Sequence, residues 1–303
     1  MRRWVGRVLV GVALVAAGCS KGAPPGGAPA PTFEPVAVAG VRVSDLTSPD
    51  DRPEGYALPD VAAWATDELS RATSLRLAKP PAGAAPTLSM ALLYGVIAPD
   101  RQPSRAPLAG AVLTAGVQVN LALAVPGEPP LTFQAERIAE QALTEADAAG
   151  FAATLSRLLE GLSRAAVRQL DRKLALHHGD GAALIAALDG DDEALVEYAA
   201  TLLGERGHAQ AGPRLIALLK STGQGVRMRA IGALGQLKAV DALAPLADLA
   251  GGSTNPREIA AAVQALADIG GPDARRYLEG LRASTPFDGV RQVVDQALSR
   301  PAP

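Results

Sequence analysis

Disulfide chemistry, aromatic packing and clustered positive charge are nearly absent from this sequence. It holds one cysteine, three histidines and 3% aromatic residues, and its 29 basic side chains are balanced by 31 acidic ones. One thiol excludes an internal disulfide framework, so packed apolar surface has to supply the stability. A formal net charge of −2 gives no electrostatic basis for nucleic-acid binding, which relies on clustered Lys and Arg against phosphate. No apolar run reaches the roughly 20 residues that a membrane-spanning helix needs. Gly-X-Ser-X-Gly, Walker-type and Gly-X-Gly-X-X-Gly patterns are missing too. What is present is a 48% hydrophobic chain whose core must be built from Ala, Leu and Val. That composition suits closely packed helices.

The lone thiol, Cys19, has a telling position. Arg2, Arg3 and Arg7 precede an apolar run from Val8 to Ala17, and Gly18-Cys19-Ser20 comes directly after it. A basic start, an apolar stretch of about ten residues and small residues before a cut site describe a secretory signal. The stretch Leu14-Val15-Ala16-Ala17-Gly18-Cys19 resembles the bacterial lipobox, with Ala16 where that family prefers Leu. The resemblance implies a signal peptide over residues 1–18 and lipid attachment at Cys19, the membrane being held by the lipid alone. Ser20 after the cysteine implies onward sorting to the outer membrane, facing the periplasm. Each buried acyl methylene contributes about 0.8 kcal/mol, and two or more chains anchor firmly. The alternative is an ordinary secretory signal with an unmodified cysteine. Losing three arginines leaves 26 basic against 31 acidic residues, a mature charge of −5.

Residues 19–31 are rich in Gly, Pro and Ala and show no periodic apolar face, which predicts a flexible lipidated tether. From 32 to 178 the pattern is that of an α/β domain. Val36, Val38, Val41 and Val43 predict a strand, with Gly40 marking a bulge. Asp60 is placed to cap a helix bearing Val61, Trp64, Ala65, Leu69 and Ala72 on one face. Thr87 to Ile97 reads as an apolar strand. Val117, Val119, Leu121, Leu123 and Val125 alternate with polar or small residues, as do Leu131, Phe133 and Ala135, and the short link between these runs predicts an antiparallel hairpin. A long helix comes next, with Phe151, Leu155, Leu158, Leu162 and Ala166 inward and Arg157, Glu160, Arg164 and Arg168 outward. Its C-terminal end could belong to this domain or cap the helices after residue 178. The order β-α-β-β-β-α, a small and mainly antiparallel sheet, resembles the α/β domains of several outer-membrane lipoproteins that help assemble transport or peptidoglycan machinery.

Beyond Gly179 the chain repeats. Leu203, Leu234, Leu266 and Leu298 form one series and Leu184, Leu215, Leu246 and Leu278 another, both stepping by 31 or 32 residues. Ala199, Ala230, Ala262 and Val294 stand four residues before the first series. Two apolar series on one period predict paired helices that stack on their neighbours. The segment Val226-Arg227-Met228-Arg229-Ala230-Ile231-Gly232-Ala233-Leu234-Gly235 resembles the short bacterial HEAT-like repeat typified by units of phycobilisome lyases. The resemblance implies an all-α solenoid over 179–300 that accepts a partner protein or peptide. In such arrays the second helices generally line the concave face, which makes Arg214, Arg275 and Arg276 candidate partner contacts.

Chemistry is hard to assemble from the remainder. His177 and His178 with Asp180 do not make a metal site, because adjacent side chains on a helix point about 100° apart. Asp189, Asp191 and Glu193 lack the glycine and the bidentate glutamate of a calcium loop, having Ala194 and Ala200 there, so capping by Asp191 or Asp192 is the better account. The expectation is a scaffold or adaptor of the bacterial envelope with no catalytic residues, metal or cofactor and no small-molecule substrate, bound to an envelope protein. The alternatives are a lyase or hydrolase working in the groove of the repeats, and an oligomeric component of an envelope transport or assembly machine.

Overall fold

The computed structural model describes residues 33–48, 52, 56–78, 85–97, 111–125, 128–143 and 148–299. The expected signal peptide, the tether and Cys19 lie outside the described residues. Two compact units divide the chain after His178.

The first unit is built on a four-stranded sheet. Strands β1 (Val36–Val38) and β2 (Gly40–Asp45) precede helix α1 (Val61–Leu69) and strand β3 (Leu75–Leu77). Strands β4 (Thr87–Ile97), β5 (Val112–Val125) and β6 (Glu128–Ala142) then lead into helix α2 (Ala148–His178). The sheet order is β2-β4-β5-β6, parallel at β2–β4 and antiparallel at the other two joins, while β1 pairs in parallel with β3. Gly40 is not a bulge. The chain changes partner at Ala39, whose N–H donates to Pro86 O at 2.8 Å, and Gly40 opens the strand that pairs with β4.

Alternation on β5 sets the core. Leu113, Val117, Val119 and Leu121 are buried on one face, and Phe133 and Ala135 of β6 lie on the same side. Helix α2 covers β5 and β6, and α1 sits against β2 and α2, so α2 belongs to this unit. The buried stripe of α2 runs through Phe151, Leu155, Leu159, Leu162, Ala166, Leu170 and Leu174. Leu159, not Leu158, joins the stripe, because at about 100° per residue the buried positions lie to one side of Phe151 and Leu158 falls on the other. Burying each such leucine contributes about 2 kcal/mol.

Two details escaped local pattern. Arg164 is not simply outward: it ion-pairs with Asp67 at 2.5 Å on α1 and with Glu160 at 3.1 Å on its own helix. Helix α1 starts as expected, the Asp60 carboxylate accepting from Ala63 N at 2.9 Å, but it ends at Leu69 and leaves Ala72 in the turn beyond. That turn and β3 are fixed by Asp171 of α2, which accepts from Thr73 N and Oγ1 at 3.1 Å, Ser74 N at 2.6 Å and Leu75 N at 3.1 Å.

The second unit is a stack of helices: α3 (Gly181–Ala187), α4 (Glu193–Glu205), α5 (Gly212–Leu218), α6 (Gln224–Gln236), α7 (Leu243–Gly252), α8 (Pro256–Ile269), α9 (Gly271–Ser284) and α10 (Asp288–Leu298). Each odd helix packs on the next even helix, and the even helices pack in succession, α4 on α6 on α8 on α10. Leu184, Leu215, Leu246 and Leu278 are buried on the odd helices, and Leu203, Leu234 and Leu266 on the even ones. Leu298, at the end of the stack, is half-buried because no further helix among the described residues covers it. Asp192 occupies the cap position of α4 but its side chain makes no capping bond, unlike Asp180, which accepts from Ala183 N at 2.8 Å.

Candidate functional site

The seam between even helices is made of small residues. A side chain on Gly204 of α4 would come within 2.9 Å of Ala233 Cα on α6, and one on Gly235 within 3.1 Å of Ala265 Cα on α8. Ala199, Ala230 and Ala262 are fully buried beside these crossings. Close backbone approach along this layer leaves a shared outer face. Side chains reach across it: Glu193 and Glu197 of α4 lie over Gly223 and Gly225, and Gln236 of α6 lies over Gly204. Arg229 faces Glu197 at 4.0 Å.

Comparing repeats in register separates two kinds of position. Those that pack stay apolar with one exception, Glu258: Ala at 199, 230 and 262 and Leu at 203, 234 and 266 are constant, while Ala200, Ile231 and Val263 vary in size. Those on the outer face differ at every step. Glu197 becomes Met228 and Ala260, Tyr198 becomes Arg229 and Ala261, and Thr201 becomes Gly232 and Gln264. All of these are half-buried or exposed. Packing does not dictate them, so their identities are free to follow something that lies against the face. The periodicity that revealed the array held this information too, one and two positions before each recurring alanine and two after.

The face has one electrostatic irregularity. Burial pushes the Tyr198 phenol up to about 12, against which Arg206 acts only weakly. Tyr198 therefore stays neutral and can donate a hydrogen bond throughout the physiological range.

Between α6 and α8 lies a buried ion pair. Glu258 is 4% exposed, and its Oε1 accepts from Arg227 Nε at 2.8 Å and Nη2 at 2.5 Å. Ser253 Oγ donates to the other oxygen at 2.9 Å. Arg227 also donates to the carbonyls of Ser221 and Thr222 at 2.7 and 3.0 Å, tying the α5–α6 loop to the next repeat.

The arginines singled out from sequence sit elsewhere. Arg214 is on α5 and ion-pairs with Asp189. Arg275 and Arg276 are neighbours on α9, paired with Glu279 at 3.0 Å and with Asp273 respectively. Arg214 is thus separated from the other two by the α7 repeat. Arg275 also lines a cleft of about 520 Å³ between α9 and α10, with Glu279, Arg282, Arg291 and Asp295. Its guanidiniums are matched by carboxylates, Arg282 with Asp295 and Arg291 with Asp288, which lowers its appetite for an outside anion. His177 and His178 make ring contacts with Phe133 and Phe33 rather than a metal cluster. Among the described residues no three metal-ligating side chains gather, and no helix is long and apolar enough to cross a membrane.

No curated protein matches the sequence. Residues 181–266, the span from α3 to α8, match the family model for HEAT repeats. The second unit is therefore a HEAT-like helical repeat, a module of the protein-interaction scaffold type.

Proposed function

We propose that this protein is a lipid-anchored scaffold of the bacterial envelope which holds a partner protein on the outer face of α4, α6 and α8. The observation that carries this reading is that the buried positions of the even helices of the stack stay apolar apart from Glu258, whereas the outward positions change in charge and polarity from helix to helix. A stack serving only as a spacer needs its packing residues and a solvated surface. Here the surface of one layer carries an acid and a phenol on α4, a thioether and a guanidinium on α6, and small or amide side chains on α8. Graded chemistry over successive helices fits an extended protein surface better than a small molecule. The envelope location rests on the lipobox-like run ending at Cys19, and outer-membrane residence on Ser20.

Two measurements test the reading. A photo-crosslinking residue at Met228 or Gly232 should trap one specific protein in cells, and the same residue at Arg214 or Arg276 should not. Capture only from Arg214 or Arg276 would move the contact to the odd helices, and capture from neither set would reject the scaffold role. Fractionation without detergent tests the anchor: Cys19→Ala should release the chain from the membrane fraction, and an unchanged distribution would reject lipid attachment.

A further inference from the structure

Among the described residues of the first unit, helices cover one face of the sheet only, since both α1 and α2 pack on the side of Val117, Val119 and Leu121. Across the other face runs a row of four positions. Leu93 of β4 is opposite Gly116 of β5, and Gly116 is opposite Ile138 of β6. Leu46 extends the row beyond β2, its N–H donating to Leu92 O at 2.8 Å. Leu46, Leu93 and Ile138 are 63%, 59% and 63% exposed. Three large aliphatic side chains thus stand in water in one line, with a gap at Gly116. Around them the face carries Ser44, Ala91, Ser89, Gln118 and Asn120, and its β6 edge carries Gln134, Glu136 and Glu140.

The row is complementary to itself. A two-fold axis parallel to the strands sets β2 of one copy over β6 of the other and β4 over β5. Leu93 then drops into the gap at Gly116 of the second copy, and Leu46 meets Ile138, each contact occurring twice. The edges agree in charge. Arg42 on β2 would lie one row from Glu136 on the opposing β6, within reach of an arginine side chain. With β2 six residues long over β6 and β4 eleven over β5, strands about 4.8 Å apart present roughly 540 Å² of overlap per copy. Two such faces bury about 1,100 Å², above the roughly 1,000 Å² that a specific interface needs, and aligned sheets pack face to face about 10 Å apart.

We propose that this open sheet face pairs with the same face of a second copy of the chain, making the protein a two-fold dimer through its first unit. The proposal is independent of what the helical repeats bind. A dimer would double the number of repeat arrays and of acyl anchors in one particle.

The test is sedimentation of the full chain carrying Cys19→Ser, over micromolar to submillimolar concentrations. Gly116→Leu is the decisive variant, because a Cβ there meets its nearest neighbour, Ile138 Cγ1, at an ordinary 3.6 Å. It fills the gap, so self-association should weaken by about ten-fold or more, while the thermal midpoint stays level or rises. Leu93→Gly combined with Gly116→Leu exchanges knob and gap and should restore the dimer. Arg42→Glu should weaken it, and adding Glu136→Arg should restore it. A chain that stays monomeric over the whole range, or a dimer indifferent to Gly116→Leu, would overturn the proposal.

Discussion

Arg227 and Glu258 give the sharpest test of what joins one repeat to the next. Removing the cation by Arg227→Ala leaves a carboxylate that is 4% exposed with one remaining donor, the Ser253 hydroxyl. Breaking a buried pair from one side costs about 3–5 kcal/mol. The Arg227 side chain is 21% exposed, so water can partly replace it, and the lower end of that range, about 3 kcal/mol, applies. Removing the anion is gentler. Glu258→Val leaves Arg227 donating to two loop carbonyls at a partly solvated site, and the expected loss is about 1 kcal/mol. Valine also suits the position, since Leu195, Val226 and Val290 occupy it in the other repeats.

Joint replacement, Arg227→Leu with Glu258→Val, should recover most of the loss, because neither charge is stranded. Urea denaturation monitored by circular dichroism measures all three variants, and the slope of the transition checks that unfolding stays equally cooperative. Hydrogen exchange adds position. Arg227→Ala should lower protection in α8 and α10 more than in α4, because the seam that opens lies between α6 and α8. Equal losses for the two single substitutions, or a double variant at the sum of both, would refute the reasoning.

Gly204→Val should destabilise the second unit by about 2 kcal/mol or more in the same assay, since its side chain would drive into the Ala233 backbone. Asp171→Ala removes the four side-chain hydrogen bonds that hold Thr73, Ser74 and Leu75 to α2 and should cost about 2–3 kcal/mol, with Asp171→Asn losing less. Tyr198 has a folded pKa of about 12, above its ordinary value of 10, so its neutral form contributes stability that is complete below pH 10 and lost as pH rises toward 12. Phenolate absorbance should therefore show a late step near pH 12 that Tyr198→Phe abolishes; a chain whose tyrosines all ionise together near pH 10 would contradict this.

Local pattern revealed those elements that local physics controls. The hairpin β5–β6 was legible because inward Val117, Val119 and Leu121 alternate against Phe133 and Ala135. The helical stack was legible because Ala199, Ala230 and Ala262 return on one period. Strand β3 was not legible: it is three residues with Arg76 in the middle and an exposed Leu77, and its anchor, Asp171, is nearly a hundred residues away. The split at Ala39 was hidden for the same reason, since two different partners pair with one continuous run of valines. Ion pairs were the least legible. Arg227 and Arg229 are two residues apart in sequence, yet one enters a buried pair with the next even helix and the other faces the preceding one across an open surface.

That last contrast explains how a repeated scaffold acquires an individual surface. Each even helix must give its inner positions to the stack, where Ala199, Ala230 and Ala262 give way to a fully buried Val294 but a polar group needs a partner. The positions immediately before the alanine project outward and, the half-buried Tyr198 apart, contribute little to packing, so a change there costs a few tenths of a kcal/mol at most. Glu258 marks the boundary between the two regimes. It stands at a packing position, and a charge is tolerated there only because Arg227 of the preceding repeat neutralises it. Outward positions need no such compensation, which is why Glu197, Met228 and Ala260 can differ in charge, size and polarity on otherwise equivalent turns. A binding surface can thus be written onto α4, α6 and α8 without rewriting the fold. The same logic makes an outward variant such as Met228→Glu a clean probe: partner capture should fall while the unfolding midpoint stays within experimental error, and a parallel loss of stability would show that position 228 belongs to the packing layer after all.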